Sequence, residues 1–507
     1  MANMTPMASI DAAWLGMEDP TNLMMVTGVM ALDGKVDLQR LRLVLDGRLQ
    51  PFGRFHQRVV RPRTRAGLPH WEDDLNFDID NHVSHVALPA PGGDDALREM
   101  VSELMSVPLD FSKPLWHMHV IDNYRGGSVV LTRVHHCIAD GIALVRVLLS
   151  LTDESADAKP ARAASRAPAP TFRQPLDWLP AAVGRGVARG QELVADPAKA
   201  VGLARVGAHG AYRLGRMVVL PSDPETVFKG KLGRQKRAAW SEPVPLEDFK
   251  VIGKAFGATV NDVLVAVATG ALRRYMEKRG QRTSGISIRA SVPVNLRPAD
   301  QAHRLGNAFG LVFLTLPIGI VDPARRVRAI KKEMDELKGS PEALVAFGLL
   351  SLMGLAPVEV EQLGLRFFGS KATAVLTNVP GPRQPLYMAG RKIDKVMFWV
   401  PQSGHMGLGI SILSYNGGVM LGIATDAGLV PDPERIVENF KVEFEAVRAA
   451  AKAVAKRKKP SRTAPSPAAR ASRARPDLPD KRAPSPSAPA SRARRDLPAL
   501  RGGRATS

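Results

Sequence analysis

The segment that most constrains the fold is an apolar run that passes directly into the heptapeptide HHCIADG, residues 135–141. The run SVVLTRV has the length and β-branched content of a strand, and the following IALVRVLLSL repeats apolar residues at helical spacing. HHCIADG is therefore predicted to be a strand-to-helix junction. Because functional side chains in α/β proteins often lie at strand ends, the segment also indicates a site.

Strand and helix patterns recur on both sides of a break in composition at Asp153–Pro175. WHMHVI is typical of a strand and LQRLRLVLDGRL of a helix before the break, as are AVLTNV and ATVNDVLVAVATGALRRYMEK after it. We predict an N-terminal α/β domain at 1–152, a linker and helical bridge at 153–220, and a C-terminal α/β domain at 221–450. The bridge is expected from the amphipathic pattern at Trp178–Leu214.

The formal charge of +21 is concentrated at the C-terminus. Residues 451–507 hold 16 Lys or Arg against 3 Asp, a balance of +13, which leaves +8 for the rest of the chain. This Pro/Ala/Ser/Arg-rich tail has few large apolar residues, so we predict a disordered basic C-terminal tail. Such a tail can bind anionic lipid headgroups, bind nucleic acid nonspecifically, or remain solvated. Of these three, we do not expect nucleic acid binding.

Several features bear on the cellular compartment. The one cysteine, Cys137, excludes an intramolecular disulfide framework and indicates a reducing compartment, and its apolar neighbours suggest a buried, inert thiol. The N-terminus lacks the pattern of a secretory signal. The apolar stretch at 343–358 is shorter than the roughly 20 residues of a spanning helix. It fits a buried core helix, a tunnel wall or a segment that dips into a membrane. We expect a cytoplasmic protein with peripheral membrane contact.

The residue types in HHCIADG allow three kinds of site. His136 can be a general base, because a neutral imidazole accepts a proton at cellular pH. Asp140 would then hold a ring or backbone in place, and Gly141 would allow close chain approach or a positive φ. A metal site is suggested by His117 and His119 on one strand face together with His135 and His136, although no third run with cysteine or carboxylate spacing appears. The third interpretation is a pair of structural histidines.

HHCIADG resembles the HHxxxDG signature of the acyl-CoA-dependent acyltransferase superfamily, which includes chloramphenicol acetyltransferase, carnitine acyltransferases and peptide-synthetase condensation domains. Further motifs narrow the resemblance: SIDAAWLGMEDPTNLMMV, PLW at Pro114–Trp116, ATVNDVLVAV around Asn261, SVPVNLRP at Ser291–Pro298 and NVPGP at Asn378–Pro382. Together they resemble the bacterial wax ester synthase/diacylglycerol acyltransferase family from Met7 to about Ala450. The resemblance implies an α/β fold of two chloramphenicol-acetyltransferase-like domains with mixed sheets. The basic tail departs from the family pattern.

The resemblance also implies residue roles. His136 would be the general base that takes a proton from the acceptor hydroxyl, by direct transfer at a tunnel between the two domains and without an acyl-enzyme. His135 would give structural support, and Asp140 would organise the site through a salt bridge to Arg289 or Arg297. Because the acyl-CoA thioester is already activated, neither a cofactor nor a metal is expected.

Other positions follow from the same resemblance. Asn261 is the candidate oxyanion donor, and a helix-capping role remains the alternative. Substrate contacts are implied for Pro114, Leu115, Trp116, Asn378, Pro380, Gly381 and Arg237. The basic loop KGKLGRQKR, which ends in Arg237, would meet the phosphates of CoA, unless it is simply a solvated loop. NVPGP alone predicts only a turn.

The resemblance thus implies an acyl-CoA-dependent O-acyltransferase that makes triacylglycerol, wax esters or both. Diacylglycerol and a fatty alcohol are both candidate acceptors, and a peripheral membrane or a lipid droplet is the expected surface. One alternative is an acyltransferase of the same fold with another hydroxyl or an amine acceptor. The other is an inert lipid-binding or interaction protein.

Overall fold

A computed structural model describes residues 4–62, 67–158, 220–297, 305–338, 342–355, 364, 366–367, 369–402 and 406–458. Residues 1–456 form one compact unit. The helical bridge predicted at 178–214 lies outside the described residues, as does the tail from 459 onward. The domain boundaries at 152 and 221 stay predictions.

Strands and helices alternate through both halves of the described chain. The strands are β1 (Met4–Pro6), β2 (Met25–Leu32), β3 (Gln57–Val60), β4 (His70–Asp73), β5 (Val83–Ala87), β6 (Trp116–Tyr124), β7 (Gly127–His135), β8 (Lys236–Trp240), β9 (Val244–Pro245), β10 (Ile288–Asn295), β11 (Phe309–Leu316), β12 (Ala374–Pro380), β13 (Tyr387–Met388), β14 (Arg391–Trp399), β15 (Leu408–Tyr415) and β16 (Gly418–Asp426). The α-helices are α1 (Ser9–Gly16), α2 (Leu38–Leu49), α3 (Asp94–Met105), α4 (Gly141–Ser150), α5 (Leu246–Phe256), α6 (Val260–Lys278), α7 (Pro323–Lys338), α8 (Glu342–Met353) and α9 (Glu434–Lys458).

The first large sheet has six strands in the order β13-β14-β2-β7-β6-β5. It is mixed, because β5 and β6 are parallel and the other neighbours are antiparallel. Strand β14 comes from the second half of the chain and pairs with β2, with Val396 opposite Met30 and Phe398 opposite Gly28. The sheet of the N-terminal half is therefore completed by a strand from the C-terminal half.

The second large sheet has seven strands, with the path β11-β10-β12-β15-β16-β8 and with β9 also pairing β16. It is mixed as well, since β12 runs parallel to both β10 and β15. Helix α6 belongs to the core of this half and is buried almost continuously from Asp262 to Met276. A helix that is apolar on most of its surface is expected to be buried in this way. The two sheets confirm the predicted α/β class with mixed sheets.

Most of the predicted elements are present. Helix α2 has the predicted bounds, and the Asp37 side chain caps it by accepting the main-chain N–H groups of Gln39 and Arg40. The predicted start of the tail at residue 451 is wrong, because α9 continues to Lys458. The added residues are mainly Ala and Lys, which favour helix, and Ala451 is buried against the core.

Helix α8 occupies most of the apolar stretch at 343–358. It packs closely on its neighbours, since a Cβ at Gly310 would lie 1.7 Å from Ala343 O and one at Gly354 would lie 1.8 Å from Ser9 O. Among the described residues, no single helix has the length and apolar character to cross a membrane. The bent pair Leu246–Phe256 and Val260–Lys278, at 97°, meets that criterion only by length and composition.

Candidate active site

HHCIADG forms the predicted strand-to-helix junction, because β7 ends at His135 and α4 begins at Gly141. Asp140 is the N-cap of α4, and its Oδ1 accepts the main-chain N–H of Ala143 at 2.9 Å. Capping by a carboxylate satisfies a helix N–H that has no partner within the helix. The local sequence thus fixes where the loop ends and the helix starts.

His136 lies at the centre of the junction, and its ring stacks on Trp14 with centroids 4.2 Å apart. Its main-chain N–H donates to Met24 O at 2.7 Å, and the Phe309 ring lies 5.6 Å away. Ring Nδ1 is buried and has no hydrogen-bond partner in the described chain. Burial lowers the pKa of His136 to about 4, because it penalises the imidazolium more than nearby Asp140 stabilises it. His136 is therefore neutral at cellular pH and able to accept a proton.

His135 is turned into the protein interior and is fully buried. Its Nδ1 accepts the main-chain N–H of Cys137 at 3.1 Å, and its Nε2 lies 3.4 Å from Oε2 of Glu18. Since Nδ1 is an acceptor, the neutral ring carries its proton on Nε2, facing Glu18. Nδ1 is thus bonded within the fold, whereas Nε2 lies near Glu18 without a hydrogen bond among the described residues, and the full burial of the ring suits a structural residue.

Asp140 connects the junction to the second half of the chain. Arg297 Nη2 donates to Asp140 Oδ2 at 2.7 Å, and both side chains are 5% exposed. The main-chain N–H of Ala308 donates to the same oxygen at 3.0 Å. Of the two arginines considered from the sequence, Arg297 makes the salt bridge, whereas Arg289 pairs with Asp223 at 2.8 Å. The residue that caps α4 therefore also binds Arg297, which follows β10, and Ala308, which precedes β11.

A buried carboxylate on α1, Asp11, organises a second set of contacts with the junction. Its Oδ2 lies 2.7 Å from Arg54 Nη2, and its Oδ1 accepts the Asn307 side chain at 2.8 Å. Arg54 in turn donates to Ile138 O at 2.7 Å, and Asn307 donates to His136 O at 2.9 Å. Burial raises the pKa of Asp11, and the charge of Arg54 opposes that rise. We call Asp11, Arg54 and Asn307 the carbonyl clamp, because together they hold main-chain carbonyls of the junction.

The sequence interpretation did not identify the carbonyl clamp. The available signal was the single carboxylate of Asp11 in the otherwise apolar helix SIDAAWLG, where a buried charge needs a partner. Its partners are Arg54, 43 residues further along the sequence, and Asn307, 296 residues further along. No local sequence pattern connects these three residues.

A cavity opens beside His136 and is lined by residues from both halves of the chain. Its aromatic wall is Trp14 and Phe309. Its polar lining residues, besides His136 and Asp140, are Ser291, Asn295, Thr377 and Asn378. We call this space the histidine cavity.

A second, almost entirely apolar cavity lies between α4 and the six-stranded sheet. Leu144, Val147 and Leu148 of α4 line it on one side, and Gly28 and Thr132 of the sheet line it on the other. Gly141 lines both cavities. We call this space the apolar cavity.

Gly141 was predicted to allow close chain approach or a positive φ, and both reasons were wrong. Gly141 does not have a positive φ, and a Cβ at this position would meet no atom within 4 Å. Neither close chain approach nor a left-handed backbone therefore requires glycine here. As the first residue of α4 it has ordinary helical geometry, and the space beside it is open cavity.

Asn261 and Asn378 are in contact but differ in their position relative to the histidine cavity. Asn378 lines the histidine cavity, whereas Asn261 does not; it accepts the Asn378 Nδ2 donor at 2.7 Å on its own Oδ1. The capping box at the start of α6 is formed by Thr259 and Asp262, so Asn261 does not cap the helix. Asn261 thus orients a residue of the cavity wall rather than forming that wall.

The remaining predicted contacts are distributed unevenly. Trp116 and Gly381 line the apolar cavity, and Trp116 Nε1 donates to Phe55 O at 2.9 Å. Pro114 and Leu115 are buried and line neither cavity, and Pro380 is exposed at the end of β12.

The basic loop is only partly free. Lys236 forms a buried pair with Asp426 at 2.9 Å, and Lys229 Nζ donates to Ser370 O at 2.5 Å. Arg237 is exposed on β8 and lines neither cavity. The structure therefore does not bring Arg237 together with His136.

The metal interpretation included His117 and His119 besides His135 and His136, and the rings of His117 and His119 are 4.6 Å apart. His117 Nε2 lies 2.8 Å from Ser84 Oγ, and burial lowers the pKa of His117 to about 4 and that of His119 to about 3. In the described part of the chain, no three His, Cys, Asp or Glu side chains are grouped as a metal site requires. The Cys137 thiol is buried, and burial raises its pKa well above the ordinary value.

The chain is similar to known proteins over most of its length. A probable diacylglycerol O-acyltransferase of Mycobacterium tuberculosis is 30% identical over 449 residues, which cover 86% of this chain and 94% of that protein. A putative diacylglycerol O-acyltransferase of the same species is 31% identical over 459 residues, covering 87% and 89%.

Among solved structures, the wax ester synthase/diacylglycerol acyltransferase from Marinobacter aquaeolei VT8 matches with a TM-score of 0.64 at 23% identity, over 88% of this chain and 100% of that chain. The first condensation domain of the calcium-dependent antibiotic synthetase matches with a TM-score of 0.56 at 18% identity, over 89% and 96%. At these identities the matches establish the two-domain fold.

Two family models cover most of the chain outside the tail. The wax ester synthase/diacylglycerol acyltransferase catalytic domain matches residues 7–264, and the C-terminal domain of the same family matches residues 305–448. The motifs, the fold and the sequence relatives agree, and the chain belongs to the wax ester synthase/diacylglycerol acyltransferase family.

Proposed function

We propose that this acyltransferase moves the acyl group of acyl-CoA directly to a hydroxyl, with His136 as the general base. Family membership makes the chain an acyltransferase. The observation that carries the mechanism is a buried, neutral histidine in the wall of a cavity that both halves of the chain line. A base of this kind contributes roughly 10²- to 10⁴-fold to the rate.

The transfer requires one proton to move twice. As the acceptor oxygen attacks the thioester carbon, its proton passes to His136, and an oxyanion develops on the former carbonyl. When the carbon–sulfur bond breaks, the imidazolium gives that proton to the departing thiolate, and the ester and free CoA result. The depressed pKa of His136 makes the imidazolium a strong acid, which favours the second step.

The oxyanion needs a hydrogen-bond donor, and we assign this role to Asn378. Its amide lines the histidine cavity, and one N–H is already fixed on Asn261 Oδ1 at 2.7 Å, which orients the other. Asn261 would then act through Asn378. The Asp140–Arg297 pair and the carbonyl clamp would keep the His136 main chain in place.

For the acceptor we propose diacylglycerol, a long-chain alcohol, or both, so that the products are triacylglycerol and wax esters. The two mycobacterial relatives are named as diacylglycerol O-acyltransferases, and the Marinobacter protein bears both activities in its name. The apolar cavity supports a lipid substrate, because about 0.8 kcal/mol is gained for each methylene group removed from water.

The substitution His136→Ala tests the base. Thiol release from palmitoyl-CoA is measured with 1-hexadecanol and with dioleoylglycerol, and we expect a loss of at least about 10²-fold for both. His70→Ala is the matched control, because His70 lies in β4 and lines neither cavity. Equal activity of the His136 and His70 variants contradicts the base assignment. Transfer by the unaltered protein to neither acceptor contradicts the proposed substrates.

We further propose a cytoplasmic enzyme that associates peripherally with a membrane or lipid droplet through its basic C-terminal segment. Each basic residue near an anionic surface contributes about 1 kcal/mol. Deletion of residues 459–507 should weaken binding to phosphatidylserine-containing vesicles and leave kcat unchanged. Equal vesicle binding by the shortened chain contradicts this assignment.

A further inference from the structure

The two cavities meet at a residue that has no side chain. Gly141 is in the lining of both, and a Cβ there would lie in open space. Because its φ is not positive, any residue fits the backbone at this position. A larger side chain here would project into the space where the histidine cavity and the apolar cavity share a wall.

A second glycine leaves room in the floor of the apolar cavity. Gly28 lies in the middle of β2, and a Cβ there would have a single neighbour, Met397 O at 4.0 Å. Gly28 is paired with Thr132, three residues before His135 on β7. At about 3.3 Å per residue along a strand, Gly28 is roughly 10 Å further from the junction. The open space therefore extends from the catalytic loop along the sheet.

The walls of this space are suited to one kind of chemical group. Apart from the hydroxyl groups of Thr132, Thr152, Ser414 and Tyr415 and the indole N–H of Trp116, the lining side chains are apolar, and no charged residue lines the apolar cavity. A polar headgroup would lose its hydrogen bonds in such a space, whereas a hydrocarbon chain gains from entering it. The reacting carbonyl and the hydroxyl must stay beside His136, so only a chain attached to one of them reaches beyond Gly141.

We propose that the apolar cavity binds the hydrocarbon chain of one substrate, which enters past Gly141, and that the absent side chains of Gly141 and Gly28 set the chain length accepted. This inference rests on the proposed transfer reaction and deepens it. The chain belongs either to the acyl-CoA or to the acceptor, and the two sources share the same chemistry. Each methylene that enters an apolar cavity strengthens binding about fourfold, so exclusion of two or three methylenes is readily measured.

The test compares Gly141→Val, Gly28→Val and the matched control Gly348→Val. Gly348 is an exposed helical glycine whose Cβ would also meet nothing within 4 Å, and it lines neither cavity. One series varies the acyl-CoA from C4 to C18 with a fixed acceptor. The other varies the alcohol from C4 to C18 with palmitoyl-CoA. The quantity compared is kcat/KM for the long chain divided by that for the short chain.

We expect Gly141→Val to lower this ratio at least tenfold in one of the two series, and the affected series identifies the source of the chain. Gly28 lies deeper in the apolar cavity, so Gly28→Val should lower this ratio only when the long substrate has a longer chain than is needed to show the effect of Gly141→Val. Gly348→Val should leave the ratio within about twofold of that of the unaltered protein. Unchanged ratios in both series, or a loss that is equal at every chain length, overturn the proposal.

A binding measurement separates this inference from the proposed reaction. S-alkyl-CoA thioethers cannot transfer their chain, and calorimetry gives their affinity without turnover; the alkanols are titrated in the same way. A Gly141→Val penalty that grows with chain length for either ligand supports the cavity assignment even if no transfer occurs. Chain-independent affinity for both ligands, together with active wild-type protein, overturns the cavity assignment alone.

Discussion

Replacement of Arg297 by Met should lower kcat strongly while the protein still folds. The salt bridge to Asp140 joins two side chains that are each 5% exposed, and Arg297 also donates to Gly306 O at 2.6 Å. Loss of one partner of a buried pair costs about 3–5 kcal/mol. Asp140 keeps two main-chain donors, Ala143 and Ala308, so we expect the lower end of that range.

The catalytic effect follows from the position of Asp140, four residues after His136. Without Arg297 the junction is held on one side only, and a displacement of about 1 Å at the reacting groups costs roughly 10²-fold in rate. We therefore expect a kcat about 10²-fold lower, measured as thiol release, and a loss of about 3 kcal/mol in the free energy of unfolding by urea.

Arg289→Met is the matched control. Arg289 lies on β10 and makes an equally close salt bridge, to Asp223 at 2.8 Å, which does not touch the junction. It should lose stability, while kcat stays within about threefold of the unaltered protein. An equal fall in kcat for both variants, or a normal kcat for Arg297→Met, refutes the positioning role of the Arg297 salt bridge.

Further expectations follow from the buried groups. Because the pKa of His136 is lowered to about 4, the base form persists as pH falls from 7 to 5, and kcat/KM should decline only near pH 4; a decline centred near 6.5 contradicts this. The same shift affects the free energy of unfolding. Between pH 6.5 and about pH 4 the His136 imidazole binds a proton in the unfolded chain but not in the folded protein, so the free energy of unfolding should fall as the pH is lowered through this range. Asn378→Ala should lower kcat about 10²- to 10³-fold and Asn261→Ala less, and the reverse order would assign the oxyanion to Asn261. Since burial raises the pKa of Cys137, iodoacetamide at pH 8 should label the thiol only after unfolding, as mass spectrometry can establish.

The site could be predicted from the sequence where its parts are local. The change from strand to helix periodicity located the junction of β7 and α4. The resemblance identified His136 as the candidate base and His135 and Asp140 as supporting residues. Arg297 could be named as a partner of Asp140 but not distinguished from Arg289, because both lie in or next to the same strand. Only the fold decides which guanidinium reaches which carboxylate.

The parts that could not be predicted depend on long-range contacts. Asp11, Arg54 and Asn307 are single polar residues in unrelated segments, and their common purpose appears only when β11 and α1 meet at the junction. The pairing of β14 with β2 is equally hidden, because alternation shows that a strand has one buried face and does not identify its neighbour. Gly141 was predicted to be glycine because of its backbone conformation or close chain approach, whereas the structure shows open cavity space beside it.

The pairing of β14 with β2 also has a consequence for synthesis on the ribosome. Until β14 emerges, about 370 residues after β2, the apolar strand MVTGVMAL has an unpaired edge. At about 5–20 residues per second this interval lasts roughly 20–70 s, and an open apolar edge is a site of misassociation between nascent chains. The yield of native protein should therefore depend on chaperone capacity during translation more than on the stability of the finished fold.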